Sequence, residues 1–174
     1  MRLGRAVLPL VRTTTTATSP ASPAAAVLRA GGAPLTERRR FTEADVAAYA
    51  AVSGDRNPVH LDDGFARGVA GLARGRVVHG MLVASLFPSV IAARFPGAVY
   101  ASQSLKFAAP VFVGDEVVAQ VQALHIKAMA ANSGSTNRYI VKFATKCFMG
   151  EEGGSLAIDG EAMAILPTLE LREN

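Results

Sequence analysis

Cysteine, tryptophan and histidine are scarce in this 174-residue chain, which has one cysteine, no tryptophan and three histidines. The single cysteine, Cys147, excludes an intramolecular disulfide and any metal site that uses several thiolates. Because Cys147 lies in a strand-like run, we interpret it as a small buried apolar residue. Charged residues make up 18% of the chain and hydrophobic residues 50%, a balance typical of one globular domain with a full core.

Acidic residues are absent from the first thirty positions, and the first one in the chain is Glu37. Residues 1–40 contain seven arginines against this one acid, a balance of +6. Residues 41–174 contain eleven basic and thirteen acidic residues, a balance of −2. The body therefore lacks the basic surface that nucleic-acid binding requires, and we expect no nucleic-acid partner.

The N-terminal segment, rich in arginine, serine and threonine and poor in acids, is typical of an organelle transit peptide. We interpret residues 1–34 as a disordered leader of this kind, and the arginine density favours the mitochondrion over the plastid. A secretory signal fits less well because Arg5 and Arg12 interrupt the apolar stretch; an ordinary disordered tail is the alternative. The folded domain is assigned to residues 35–167 and a C-terminal tail to residues 168–174.

Long apolar runs are also missing. The longest uncharged run, from Val77 to Ala93, is shorter than the ~20 residues that cross a bilayer, and it contains Pro88. We therefore expect no membrane span. Apolar residues recur in this run at helical spacing, which predicts an enclosed helix that Pro88 kinks because proline has no N–H to donate.

The rest of the body predicts an α+β fold. A short edge strand is expected near Leu35, and Thr42 with Asp45 predicts a capping box at the start of a helix. Gly54 supplies the left-handed residue that ends this helix. Four strand-like segments separated by turn residues follow from Val99 onward, so an antiparallel sheet wrapped around the enclosed helix is expected.

The most unusual stretch is SGDRNPVH, residues 53–60, in which Asp55 and His60 flank an Asn-Pro pair. Pro58 fixes its own φ and disfavours helical conformations of Asn57, so the loop has few conformations. General acid–base catalysis needs groups held within hydrogen-bond reach of the reacting proton, and a stiff loop provides this. An ordinary turn, with the Asp and Asn side chains on backbone amides and His60 exposed, fits the same spacing.

A second candidate lies at His79-Gly80, where a glycine near the start of the enclosed helix would let a substrate approach free backbone N–H groups. Tight packing alone would also explain Gly80, and we interpret His79 as structural. Asp55, His60 and His79 could form a two-histidine, one-carboxylate metal face. Because no motif spacing supports that face, we predict no metal and no cofactor.

Residues 49–63, YAAVSGDRNPVHLDD, resemble the signature of the MaoC-like dehydratases and (R)-specific enoyl-thioester hydratases. Residues 75–86, GRVVHGMLVASL, and 104–117, SLKFAAPVFVGDEV, resemble further parts of the same family in the same order. The resemblance spans residues 35–167. It implies a single hot-dog fold, in which an antiparallel sheet wraps around a long central helix, and a homodimer.

The resemblance also implies a reaction, the dehydration of (R)-3-hydroxyacyl thioesters to trans-2-enoyl thioesters. It implies that Asp55 and His60 are catalytic and that the Gly80 backbone N–H stabilises the oxyanion. Substrate contacts are expected from the loop and the apolar helix face, at Asn57, Leu82, Val83 and Ser85.

The carrier of the acyl group is open at this point. An organellar leader and the lack of a peroxisomal signal in the final residues, LREN, favour acyl carrier protein over acyl-CoA. Arg74, Arg76 and Lys106 could contact the carrier, or could be ordinary solvated charges. The alternatives are an (R)-specific enoyl-CoA hydratase, a non-catalytic module that binds acyl thioesters, and a thioesterase.

Overall fold

The computed structural model describes residues 28–129, 138–167 and 169 of the chain. One antiparallel sheet has the strand order β1-β3-β4-β5-β2. Its strands are β1 (Leu35–Arg40), β2 (Val99–Phe107), β3 (Glu116–Ala128), β4 (Tyr139–Met149) and β5 (Leu156–Leu166). The predicted edge strand near Leu35 and the four later strands are all confirmed.

The helices lie between β1 and β2 in the sequence and pack against one face of the sheet. They are α1 (Glu43–Ser53), α2 (Pro58–Leu61), α3 (Asp63–Gly68), α4 (Gly80–Ala84) and α5 (Leu86–Arg94). Phe87 and Ile91 of α5 are buried in one core with Phe143 of β4 and Ile158 and Leu166 of β5. The α+β, hot-dog arrangement of a sheet around a central helix is therefore confirmed.

The start and end of α1 follow the sequence signals. Thr42 Oγ1 accepts a hydrogen bond from the Asp45 N–H at 3.2 Å, and Asp45 Oδ2 accepts one from the Thr42 N–H at 2.8 Å, which completes the capping box. The Thr42 N–H and hydroxyl both donate to the Asp45 carboxylate, and these two hydrogen bonds, together with the nearby Arg39 guanidinium, hold the pKa of Asp45 below its ordinary value. At the other end Gly54 has φ 78°, a left-handed conformation that glycine adopts without strain.

The central helix is interrupted at Ser85, between α4 and α5, and not at Pro88 itself. A proline ring clashes with the carbonyl four residues earlier, which here belongs to Ala84, and it offers no N–H to that carbonyl. The proline therefore breaks the helix one turn before its own position. The Ser85 hydroxyl donates to the Leu82 carbonyl at 2.6 Å beside this break.

Residues 28–34 contact the folded body, although the sequence assigns them to the leader. Leu28 is buried in the core, the Gly31 N–H donates to the Ala123 carbonyl at 2.8 Å, and Gln122 Nε2 donates to the Gly32 carbonyl at 2.8 Å. We therefore propose that the folded domain begins at or before Leu28. The remainder of the predicted leader, residues 1–27, lies outside the described residues. Of the predicted tail, Leu169 is described and packs on the core.

A membrane-spanning helix would have to be long and apolar along its whole length. Among the residues that the structure describes, no helix meets this requirement.

Candidate active site

Asp55 is held just after the C-terminal end of α1 by hydrogen bonds between side chains and backbone N–H groups. Its N–H donates to the Ser53 hydroxyl at 3.2 Å, and its Oδ1 accepts from the Asn57 N–H at 3.1 Å. Asn57 Oδ1 in turn accepts from the Val59 N–H at 3.2 Å and caps α2, which begins with Pro58. Asp55 Oδ2 makes none of these bonds and is available for chemistry.

His60 points its second ring nitrogen at that free oxygen. Its Nδ1–H donates to the Val77 carbonyl at 2.8 Å, and because a carbonyl can only accept, the proton is assigned to Nδ1. His60 Nε2 then lies 3.9 Å from Asp55 Oδ2. This gap exceeds a direct hydrogen bond, and a hydroxyl or a water placed between the two atoms could contact both.

The two groups differ in exposure. The His60 side chain is 12% exposed, whereas that of Asp55 is 50% exposed. The imidazole therefore lies inside the site and the carboxylate lies at its solvent side.

His79 connects the Asp55 loop, His60 and the start of α4. It is 2% exposed, its Nε2–H donates to the Asp55 backbone carbonyl at 3.0 Å, and its ring stacks on His60 with centroids 3.8 Å apart. Tyr49 of α1 packs against its other side, with centroids 4.9 Å apart and planes inclined by 54°. The interpretation of His79 as structural fits these contacts, but the sequence did not indicate which groups it holds.

Gly80 is the first residue of α4, so its N–H has no acceptor within the helix. Among the described residues, no carbonyl accepts a hydrogen bond from this N–H. A Cβ added at Gly80 would lie 2.6 Å from the Phe107 ring of β2, which is far inside van der Waals contact. Glycine therefore lets the exposed Phe107 ring approach the helix start, and a side chain here would displace the ring or the helix start.

Asp55, His60 and Gly80 line one cavity of about 470 Å³. The buried part of its lining is mostly apolar and includes Val83 and Ile158, and exposed residues such as Phe107 lie at its mouth. The full lining is Tyr49, Asp55, His60, Val77, Val78, His79, Gly80, Met81, Val83, Phe107, Ala108, Ala109, Pro110, Val111 and Ile158. An apolar pocket with a few convergent polar groups is typical of a small-molecule site.

Residues 25–143 match the family described as the MaoC like domain. The chain belongs to the MaoC-like family. It is 51% identical over 137 residues to the Arabidopsis thaliana protein "3-hydroxyacyl-[acyl-carrier-protein] dehydratase, mitochondrial", covering 79% of this chain and 77% of that protein. It is 43% identical over 131 residues to the Aeromonas caviae "(R)-specific enoyl-CoA hydratase", covering 74% and 89%.

The fold is similar to that of a solved structure, the A. caviae (R)-hydratase "involved in PHA biosynthesis". The TM-score is 0.62 at 38% identity, and the match covers 84% of this chain and 100% of the other. The resemblance seen in the sequence is thereby confirmed at the level of family and fold.

The other predicted substrate contacts of this MaoC-like chain are divided between two places. Val83 lines the cavity with Asp55 and His60, whereas Leu82 and Ser85 line a second cavity of about 420 Å³. Asn57 is in neither described lining, and its side-chain oxygen is occupied by the Val59 N–H. Of the predicted residues, Asp55, His60, Gly80 and Val83 thus line one cavity. Asn57, Leu82 and Ser85 do not line it.

A metal ion could in principle reach Asp55, His60 and His79, since one ligand atom of each lies within 4.8 Å of the others. The two imidazoles, however, are stacked with planes inclined by 26°. Nitrogen lone pairs lie in the ring plane, so stacked rings direct them side by side and not toward one point. The His79 Nε2–H is also occupied by the Asp55 carbonyl. This geometry favours acid–base chemistry over metal coordination.

The three cations predicted to contact a carrier differ in their partners. Arg74 forms two hydrogen bonds to the Asp115 carboxylate, at 3.0 and 2.5 Å, and this pairing raises the pKa of Arg74. Arg76 pairs with Glu43. Lys106 is exposed and has no salt bridge within the described part of the chain. Arg74 and Arg76 are therefore largely neutralised by their own chain.

Proposed function

We propose that this chain is a hydro-lyase that converts (R)-3-hydroxyacyl-[acyl-carrier-protein] to the trans-2-enoyl thioester, and that the reaction is reversible. One observation carries the proposal: Asp55 Oδ2 and His60 Nε2 lie 3.9 Å apart in a cavity that the start of α4, with the Gly80 N–H, also lines. A dehydratase needs a base for the proton on carbon 2, a donor for the hydroxyl on carbon 3, and a hydrogen bond to the thioester oxygen.

The proton can be followed through these groups. The thioester oxygen accepts from the Gly80 N–H, so that negative charge developing there is stabilised. His60 Nε2 takes the proton from carbon 2. It is the unprotonated ring nitrogen, because Nδ1 carries the proton that is donated to the Val77 carbonyl. The carbon–oxygen bond at carbon 3 then breaks, and the same proton passes from the imidazolium to the departing hydroxyl, which leaves as water.

The Asp55 carboxylate orients the hydroxyl and stabilises the imidazolium. Asp55 and His60 end in the protonation states in which they began. Because one imidazole acts at both carbon 2 and carbon 3, the proton and the hydroxyl must leave from the same face of the substrate. The reverse sequence adds water to the enoyl thioester.

The test is an assay of the purified protein with (R)- and (S)-3-hydroxybutyryl thioesters and with crotonyl thioesters, on acyl carrier protein and on CoA. We expect the enoyl-thioester absorbance to change with the (R) substrate and with crotonyl, and not with (S). Binding without an absorbance change would identify a non-catalytic acyl-thioester module. Release of free thiol would identify a thioesterase.

Acyl carrier protein is the carrier that we propose. The A. thaliana relative bears that activity in its name. Two exposed cations, Arg56 and Lys106, directly neighbour the cavity residues Asp55 and Phe107 in the sequence, have no salt bridge among the described residues and could contact an acidic carrier. A higher kcat/KM on the carrier-bound substrate supports this choice. A preference for CoA would support the (R)-specific enoyl-CoA hydratase named in A. caviae instead.

A homodimer through β2 is also proposed. This strand is an edge of the sheet, and edges with unpaired backbone groups favour pairing with another chain. Val99 and Phe107 of β2 are exposed apolar side chains. A second copy paired along this edge could cover them, and light scattering on the purified protein tests this dimer.

We propose a mitochondrial location, supported by the composition of the N-terminal segment and by the names of the A. thaliana and Solanum lycopersicum relatives. A fluorescent fusion of the full chain should reach mitochondria, and a fusion of residues 28–174 should not. Equal distribution of both fusions would contradict the proposal.

A further inference from the structure

A second cavity of about 420 Å³ is lined by residues of β1, α1, α4 and α5. Asp55, His60 and Gly80 do not line it, so the proposed chemistry gives it no role. Its lining is apolar at Phe41, Ala48, Val52, Leu82 and Leu86, and polar at Glu37, Arg39, Asp45, Ser85 and Ser89. Arg39 and Asp45 neutralise each other in a 2.9 Å ion pair.

Tyr49 is the one residue shared by the linings described for the two cavities. It lies on α1, is half-buried, and packs its ring against His79. On the opposite wall, the neighbouring residues Leu82 and Val83 of α4 line the second cavity and the catalytic cavity respectively. Because successive residues of a helix point about 100° apart, the two cavities lie side by side along α4, with the tyrosine ring between them.

We propose that Tyr49 sets the upper limit of acyl-chain length, by closing the catalytic cavity on the side of the second one. The inference rests on the proposed function, because it concerns the acyl chain of that substrate. Shortening this side chain joins the two cavities, and the distal methylenes of a longer chain then pack on the half-buried Leu82 and the buried Leu86 in the second cavity. Each methylene removed from water favours binding by about fourfold, so the gain grows with chain length.

The experiment compares the wild-type chain, Tyr49→Ala and Tyr49→Phe in hydration of crotonyl, octenoyl and hexadecenoyl thioesters. The measured quantity is kcat/KM for hexadecenoyl divided by kcat/KM for crotonyl, since a general loss of activity cancels in this ratio. We expect Tyr49→Ala to raise the ratio at least about tenfold, and Tyr49→Phe, which keeps the ring, to leave it at the wild-type value.

Ala48→Leu provides the matched control, because Ala48 lines the second cavity and not the catalytic one. Alone it should leave crotonyl turnover unchanged, and combined with Tyr49→Ala it should remove the gain on hexadecenoyl. An unchanged ratio in Tyr49→Ala, or a gain that persists in the double variant, would overturn the inference.

The outcomes also separate this inference from the proposed function. If the wild-type chain does not hydrate crotonyl, the proposed function fails. If only Tyr49→Ala is inactive, calorimetric titration of that variant with hexadecenoyl-CoA and crotonyl-CoA measures the same ratio as a ratio of affinities. If the ratio of the affinities for hexadecenoyl-CoA and crotonyl-CoA in Tyr49→Ala equals that of the wild-type chain, the proposed role of Tyr49 is overturned.

Discussion

The ring of His79 stacks on the ring of His60 at 3.8 Å between centroids, and the same buried side chain donates a hydrogen bond to the backbone of Asp55. One residue therefore sets the relative position of the two groups that carry the proposed chemistry. Its own position is fixed by the helix start at Gly80 and by Tyr49. We infer that His79 is a positioning residue that need not touch the substrate.

Two substitutions separate the contacts of His79. His79→Phe keeps a ring against His60 and loses the donor to Asp55, whereas His79→Gln keeps a donor and loses the ring. Both should lower kcat by up to about 10²-fold with little change in KM, because misplaced catalytic groups weaken the transition state more than substrate binding. Steady-state kinetics together with thermal unfolding checks this; a change in KM alone, or lost folding in both variants, would contradict a positioning role.

Gly80→Ala should displace either Phe107 or the helix start, since the new Cβ would lie 2.6 Å from the Phe107 ring. We expect a lower kcat, because a displaced Gly80 N–H no longer reaches the thioester oxygen, and loss of one such donor costs about 10²–10³-fold. Phe107→Ala in the same chain removes the clash and should restore part of the activity. Kinetics of the two single variants and the double variant provide the measurement, and additive losses would argue against this contact.

Cys147 is fully buried, as the sequence predicted, and burial raises the pKa of its thiol from 9.0 to about 12. Between these values the unfolded chain releases this proton and the folded chain keeps it. The contribution of Cys147 to the free energy of unfolding is therefore complete below pH 9 and falls as the pH rises toward 12, by on the order of 1 kcal/mol per pH unit.

Urea unfolding of the wild-type chain and of Cys147→Ala, at pH 8 and pH 10, tests this sign. Burial also raises the pKa of Tyr100, to about 12, but Tyr100 is present in both chains and cancels in the comparison. The stability difference between the two chains should shrink at pH 10. A constant difference would show that the thiol ionises equally in both states, and a growing difference would show that it ionises more readily in the folded chain; either result contradicts the prediction.

Much of the fold could be predicted because its signals are local. The capping box of Thr42 and Asp45, the left-handed Gly54 and the alternating strands all depend on neighbours in the sequence. The rigid loop from Asp55 to His60 is local in the same way, since Asn57 and Pro58 organise it. The loop, together with the resemblance to the MaoC-like family, therefore predicts from sequence the two side chains proposed as catalytic.

The missing parts depend on contacts between distant segments. His60 is oriented by the backbone carbonyl of Val77. Every residue has a backbone carbonyl, so the residue type at position 77 does not predict this contact. Leu82 and Val83 are both apolar residues of one helix, and only the position of α1 decides that they line different cavities. The sequence predicts a kink at Pro88, whereas the helix breaks at Ser85, because proline also disrupts the turn that contains the carbonyl four residues before it.

The most direct test of the account is the hydration of crotonyl thioester by Asp55→Asn and His60→Gln, with circular dichroism to establish that both variants fold. Asp55 Oδ2 and His60 Nε2 act on the same substrate in this account, so each variant should lose about 10²–10⁴-fold in kcat, and the double variant little more. Near-normal turnover in either folded variant would contradict the central claim that this pair, 3.9 Å apart, performs the proton transfer.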